Sequence, residues 1–96
     1  MNYNIMNKPK SIICDIDGTL ALRVNRDHFD FEKAGSDNMN KPIKEIVNLF
    51  KENGYEILLV TGREERFRDI TSKWLKTNNL NYSKLLMREN KDYRKD

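Results

Sequence analysis

Three short apolar runs, separated by stretches with helical periodicity, constrain the fold of this 96-residue chain more than any other feature. Ser11-Ile12-Ile13-Cys14 runs into Asp15, Tyr55 to Val60 forms the second run, and Lys84 to Arg88, with Leu85, Leu86 and Met87, forms the third. Continuous apolar runs of this length suit strands buried on both faces, as in a parallel sheet. Between the first and second runs, Ile43, Ile46, Val47 and Phe50 recur at helical spacing. Asn40 is placed to cap that helix, Pro42 sits near its first turn, and Asn53-Gly54 supplies the stop. Between the second and third, Thr61-Gly62-Arg63 breaks the strand and opens a second helix with Phe67, Ile70, Trp74 and Leu75 as its apolar stripe. Asn78-Asn79 ends it. Alternating strands and helices predict an α/β fold, with a mostly parallel sheet and right-handed crossovers. Gly35, Ser36, Asp37 and Asn38 signal loop, so residues 20–40 read as an irregular flap carrying a small hairpin. Residues 1–9 read as a loose lead-in, and 1–96 as part of a single domain.

In such sheets the ligand crevice lies beyond the carboxyl ends of the strands. That rule gathers Asp15, Asp17, Thr61, Arg63 and Arg88 at one edge, although they are far apart in sequence. In Asp15-Ile16-Asp17-Gly18-Thr19, two carboxylates stand two positions apart where the chain leaves a buried strand, and so point to one side. Their repulsion calls for a cation or a shared proton, and an oxygen-rich pair suits Mg²⁺. Gly18 permits a sharp turn that Thr19 can hold. The two acids can divide phosphoryl transfer: Asp15 attacks phosphorus, and Asp17 protonates the leaving alcohol and later deprotonates water. Mg²⁺ held by Asp15 and Asp17 would offset the charge of the phosphate. Thr61 has a hydroxyl to offer that phosphate, and the amides of Gly62 and Arg63, expected at a helix N-terminus, suit an anion.

Composition narrows the setting. The net charge is +3 and the pI about 9.0, which favours anionic partners without marking nucleic acid. A single cysteine excludes an internal disulfide and a multi-cysteine metal site, so a reducing cytoplasm is expected. The N-terminal residues lack the apolar run of a signal peptide, and no segment is apolar enough to span a membrane.

The stretch Ile13-Cys14-Asp15-Ile16-Asp17-Gly18-Thr19-Leu20 resembles the first motif of the haloacid dehalogenase superfamily of phosphatases, and Leu59-Val60-Thr61-Gly62-Arg63 resembles its second. The likeness extends to the 3′-phosphatase domain of bacteriophage polynucleotide kinase-phosphatases. It rests on Arg26 after the first motif, Phe29-Asp30, Gly54-Tyr55, Thr71 with Trp74-Leu75, and Leu86-Met87-Arg88 followed by Asp92-Tyr93-Arg94-Lys95-Asp96. It implies a Rossmann-like three-layer sandwich, Asp15 as nucleophile, Asp17 as general acid–base, and Thr61 as a phosphate ligand. Arg26 and Arg63 resemble the family arginines that act on the phosphate or order the site. Asp96 is similar to the acid preceding the third-motif lysine. That lysine and the acidic fourth motif lie outside the 96 residues, so the sheet is expected to be incomplete at the C-terminus. Ile12-Ile13 would then form an exposed apolar edge open to pairing with another chain. No Walker-type loop is present, so kinase activity is not expected.

The implied activity is Mg²⁺-dependent hydrolysis of a 3′-phosphate on a nucleic-acid end. The rival readings are a phosphatase of nucleotides or small metabolites, and an inactive fragment that binds phosphate or is complemented by a C-terminal chain. Other conspicuous residues have plainer readings. His28 reads as a loop residue, Cys14 as a small buried hydrophobe, and Phe67 and Trp74 as core. Arg88 reads equally as a nucleic-acid backbone contact and as an ordinary surface arginine. The charged run from Lys91 to Asp96 is solvated by composition.

Overall fold

The computed structural model describes residues 10–90. The 1–9 lead-in and Asp96 therefore lie outside the described residues. The elements run β1 (Ser11–Asp15), β2 (Ala21–Leu22), a 3₁₀ helix (Phe31–Ser36), β3 (Asn38–Met39), α1 (Lys41–Glu52), β4 (Glu56–Glu64), a 3₁₀ turn (Glu65–Phe67), α2 (Arg68–Thr77) and β5 (Lys84–Arg88). The parallel sheet has the order β1-β4-β5. The flap carries the expected hairpin, an antiparallel pairing of Ala21 with Met39 and Leu22 with Asn38.

Alternation along the strands sorts the sheet's faces. Cys14, Leu59 and Leu85 lie side by side in register and are all buried. With Ile57 they pack against Val47 of α1 and Trp74 and Leu75 of α2, so both helices cover one face. The opposite face carries Ile13, 70% exposed, and Leu86, 47% exposed. Among the described residues, two of the three expected layers are therefore present. β1 pairs with β4 alone among them, leaving the apolar edge that the sequence implies.

Three local expectations change. β4 does not break at Thr61 but continues to Glu64, because its end is held by pairing of Glu64 with Arg88 beyond an irregularity after Val60. Thr61, Gly62 and Arg63 are thus strand residues, and the helix opens at Arg68. Phe67 accordingly sits in the 3₁₀ turn before α2, half-buried, instead of in the helical stripe. Ile46, expected on the buried face of α1, is exposed. The limits of α1 follow the sequence signals: Asn40 is the N-cap residue, Pro42 lies in the first turn, and Gly54 takes a positive φ of 87° past the end.

Leu59→Ala, at the middle of the buried row, is expected to cost about 2–5 kcal/mol in urea unfolding, whereas Ile13→Ser should change stability by less than about 0.5 kcal/mol. Burial, and secondarily the charge of Asp15, raises the Cys14 thiol above its ordinary pKa. Alkylation of Cys14 at pH 8 should accordingly be slow in the native protein and fast in denaturant.

Candidate active site

The site is built where β1 ends. Ile16 is fully buried, and its amide bonds to the Val60 carbonyl at 3.1 Å, fixing the exit of β1 against β4. Its carbonyl accepts the amides of Thr19, Leu20 and Ala21 at 3.2, 2.9 and 2.8 Å. This tight turn needs Gly18 at a φ of 83°, a left-handed conformation that costs glycine little. Asp15 and Asp17 flank the anchored Ile16 and both line a cleft of about 930 Å³.

The two acids have different surroundings. Asp15 is exposed, and one carboxylate oxygen accepts the Ile16 amide at 3.1 Å. Asp17 is bound on several sides. Thr61 Oγ1 donates to its Oδ2 at 2.8 Å, while Arg63 Nη2 and Nε donate to its Oδ1 at 2.8 and 3.1 Å. Thr61 Oγ1 in turn accepts the amide of Arg63 at 3.1 Å.

The arginines are buried inside this arrangement. Arg63 is 1% exposed, and its Nη1 donates to Thr71 Oγ1 on α2 at 2.9 Å. Its Nη2 also reaches Asp37 at 3.4 Å. Arg26 binds Asp37 through two parallel bonds of 2.7 Å and lies 3.9 Å from Asp17. Bidentate pairing of this kind is among the stronger charged contacts. The hydrogen bonds to Asp37 raise the Arg26 pKa above its already high ordinary value. Both guanidinium groups lie over the ring of Phe31, at 5.4 Å for Arg26 and 5.2 Å for Arg63.

The strand ends thus bring together Asp15, Asp17, Thr61, Gly62, Arg63 and Arg26. Thr61 and Arg63 bond to Asp17 instead of presenting free donors to the cleft. Gly62, expected at a helix N-terminus, lines the cleft from within β4. Exposed Arg88 also lines the cleft.

Sequence reasoning missed Asp37. It sits in a Gly-Ser-Asp-Asn stretch that reads as solvated loop, yet its side chain is fully buried. Its backbone carbonyl accepts Trp74 Nε1 at 2.8 Å, which fastens the flap to α2. Only the two partner arginines, 11 and 26 positions away, distinguish it from an ordinary loop aspartate. Asp37→Ala leaves two buried guanidinium groups short of a counter-charge and should destabilise the fold by about 3–5 kcal/mol, measured by urea unfolding.

Comparisons with known proteins agree with this architecture. Residues 9–96 match the family described as the polynucleotide kinase PNKP phosphatase domain. A putative bifunctional polynucleotide kinase/RNA ligase of Autographa californica nuclear polyhedrosis virus is 30% identical over 92 residues, 92% of this chain and 13% of the viral protein. Among solved structures, a chain of a Pnkp1/Rnl/Hen1 RNA repair complex is 40% identical with a TM-score of 0.83, covering 91% of this chain and 28% of its own. A second structure of the Pnkp1/Rnl/Hen1 complex gives 40% identity and a TM-score of 0.84, with coverages of 94% and 31%. A Vibrio cholerae protein, 23% identical with a TM-score of 0.64 over 81% of this chain and 68% of its own, shares the fold. The chain therefore spans under a third of the viral relative and of the two repair-complex chains, and within that span it belongs to the polynucleotide kinase PNKP phosphatase domain family, whose fold is of the haloacid dehalogenase type.

Proposed function

We propose that this domain hydrolyses phosphate monoesters through an aspartyl-phosphate on Asp15, with the 3′-phosphate of a nucleic-acid end as substrate. The observation that carries the reading is the unequal pair of acids on one turn. Asp15 is exposed to the cleft, whereas Asp17 is clamped by Thr61 and Arg63. A nucleophile needs an accessible oxygen, and an acid–base group needs a fixed position.

In the first step a carboxylate oxygen of Asp15 bonds to phosphorus as the bond to the 3′-oxygen breaks, and Asp17 delivers its proton to that oxygen. In the second, Asp17 takes a proton from water as the water oxygen attacks the aspartyl phosphate, releasing inorganic phosphate and restoring Asp15. Arg63 acts on Asp17: it is buried beneath the acid and holds both carboxylate oxygens. Thr61 holds the same carboxylate from the other side, its single hydroxyl proton given to Asp17. Arg26, held by both oxygens of Asp37, lines the same cleft and would face a phosphate bound there.

Mg²⁺ suits this site. It commonly binds one or two carboxylates and completes its shell with water and substrate phosphate oxygens. The exposed carboxylate of Asp15 is the donor among the described residues that would hold it, with Asp17 beside it, whose side-chain oxygens already accept bonds from Thr61 and Arg63. When bound, the ion would neutralise charge on the transferring phosphoryl group. The rival in which the substrate is a small phosphate ester shares all of this chemistry. The rim of the cleft carries Arg23 and Arg88, with Arg66 paired to Glu64 at 3.0 Å, and this excess of arginine favours a substrate carrying further phosphates.

Release of phosphate from a 3′-phosphorylated oligonucleotide, with and without Mg²⁺, tests the reading. Asp15→Asn should abolish turnover, and Asp17→Asn should lower kcat by about 10²- to 10⁴-fold. Arg63→Gln should lower kcat with KM nearly unchanged, as expected of a group that positions the acid. A rise in KM alone would instead make Arg63 a direct phosphate ligand. Full activity of Asp15→Asn would exclude the covalent route. Equal kcat/KM for glycerol phosphate and for the oligonucleotide would transfer the assignment to small esters.

A further inference from the structure

A single exposed aromatic side chain means little on a protein surface. Phe29 differs because of where it stands. It is 78% exposed, and it lines the same cleft as Asp15 and Asp17. It belongs to an aromatic cluster with His28, Phe31 and Phe67, all of which line the cleft. Its ring meets His28 at 4.5 Å between centroids, with planes 88° apart, and Phe31 at 6.3 Å, with planes 86° apart. Phe31 meets Phe67 at 5.5 Å and lies against the Arg26 and Arg63 guanidinium groups. The exposed ring is thus braced by near-perpendicular neighbours that connect it to the buried ion cluster, while most of its own surface stays open. Edge-to-face contacts of this kind add holding energy beyond burial.

We propose that Phe29 is a base-stacking platform for the terminal nucleoside of the 3′-phosphorylated strand, and so a specificity-determining residue of the site. The inference deepens the phosphatase reading and rests on it. A 3′-phosphate seated at Asp15 carries its sugar and base away from the turn, and Phe29 offers a planar apolar surface within the same cleft. Stacking on an aromatic ring is tolerant of sequence, because every base has a π face. It suits an enzyme that acts on ends and does not read a sequence. Arg23 and Arg88 on the rim suit the next phosphates of the strand, whereas Arg66 is paired with Glu64 at 3.0 Å. Those charges alone would attract any polyanion. Phe29 is what separates a nucleoside end from a phosphorylated sugar.

The test uses the full chain with Asp15→Asn in every arm, so that nothing turns over. Fluorescence anisotropy reads binding of 5′-labelled oligonucleotides that end in a nucleoside 3′-phosphate, in an abasic 3′-phosphate, or in a 3′-hydroxyl. Adding Phe29→Ala should weaken the nucleoside 3′-phosphate by about fivefold or more, the usual scale for loss of one stacking ring. It should leave the abasic 3′-phosphate within about twofold, while Phe29→Trp should bind the nucleoside end at least as well as Phe29 does. Equal losses on the nucleoside and abasic ends overturn the proposal, as does no loss on either. If the parent chain binds phosphate and hydroxyl ends alike, the 3′-phosphatase reading fails instead, whatever Phe29 does. If it binds no oligonucleotide, both readings fall.

Discussion

The burial of Arg63 between two carboxylates is the constraint on which the rest of the site depends. Removing a guanidinium group from water costs several kcal/mol unless its donors and charge are matched. When Asp17 is ionised, as it is before it takes a proton from water, Asp17 and Asp37 supply charge, Thr71 supplies a further acceptor, and Arg26 balances the second acid, so that two cations face two anions. Among the described residues no buried side-chain nitrogen or oxygen is left without a partner. The match needs the turn after β1, the flap, β4 and α2 in place together. A lost member leaves the others charged and dry, so the cluster makes flap position and acid position one cooperative choice.

This dependence explains what the sequence disclosed. The strands, the two helices and the parallel order followed from apolar periodicity, because burial on the sheet and on one helix face is periodic in the chain. Asp15 and Asp17 were legible because their spacing and the glycine after them encode a local turn. The cluster behind them was not. The strand-end rule places Arg63 at the sheet edge, and resemblance singles out Arg26, Arg63 and Thr71, but their burial around Asp37, an ordinary loop aspartate by sequence, depends on contact across many positions of sequence. The same holds for β4. Gly62 reads as a stop by propensity, yet pairing with β5 carries the strand on to Glu64 and so turns Arg63 inward. Tertiary pairing overrode local preference at the point where the site needed a buried cation.

The acids also differ in how firmly the fold holds them, and this bears on the division of labour proposed for them. Asp17 is fixed by donors from two residues of β4, which is itself the central strand of the sheet. Asp15 belongs to an edge strand whose register is set by β4 alone among the described residues, and its carboxylate accepts only the neighbouring Ile16 amide there. A group that transfers protons gains from a fixed geometry, since proton transfer depends steeply on donor–acceptor distance. A carboxylate that must advance onto phosphorus and then be released gains from fewer competing bonds, because each one has to be broken or bent during the displacement. Under the proposed mechanism both demands fall on residues two positions apart, with the backbone between them anchored at Ile16 and the buried cation on only one side of that anchor.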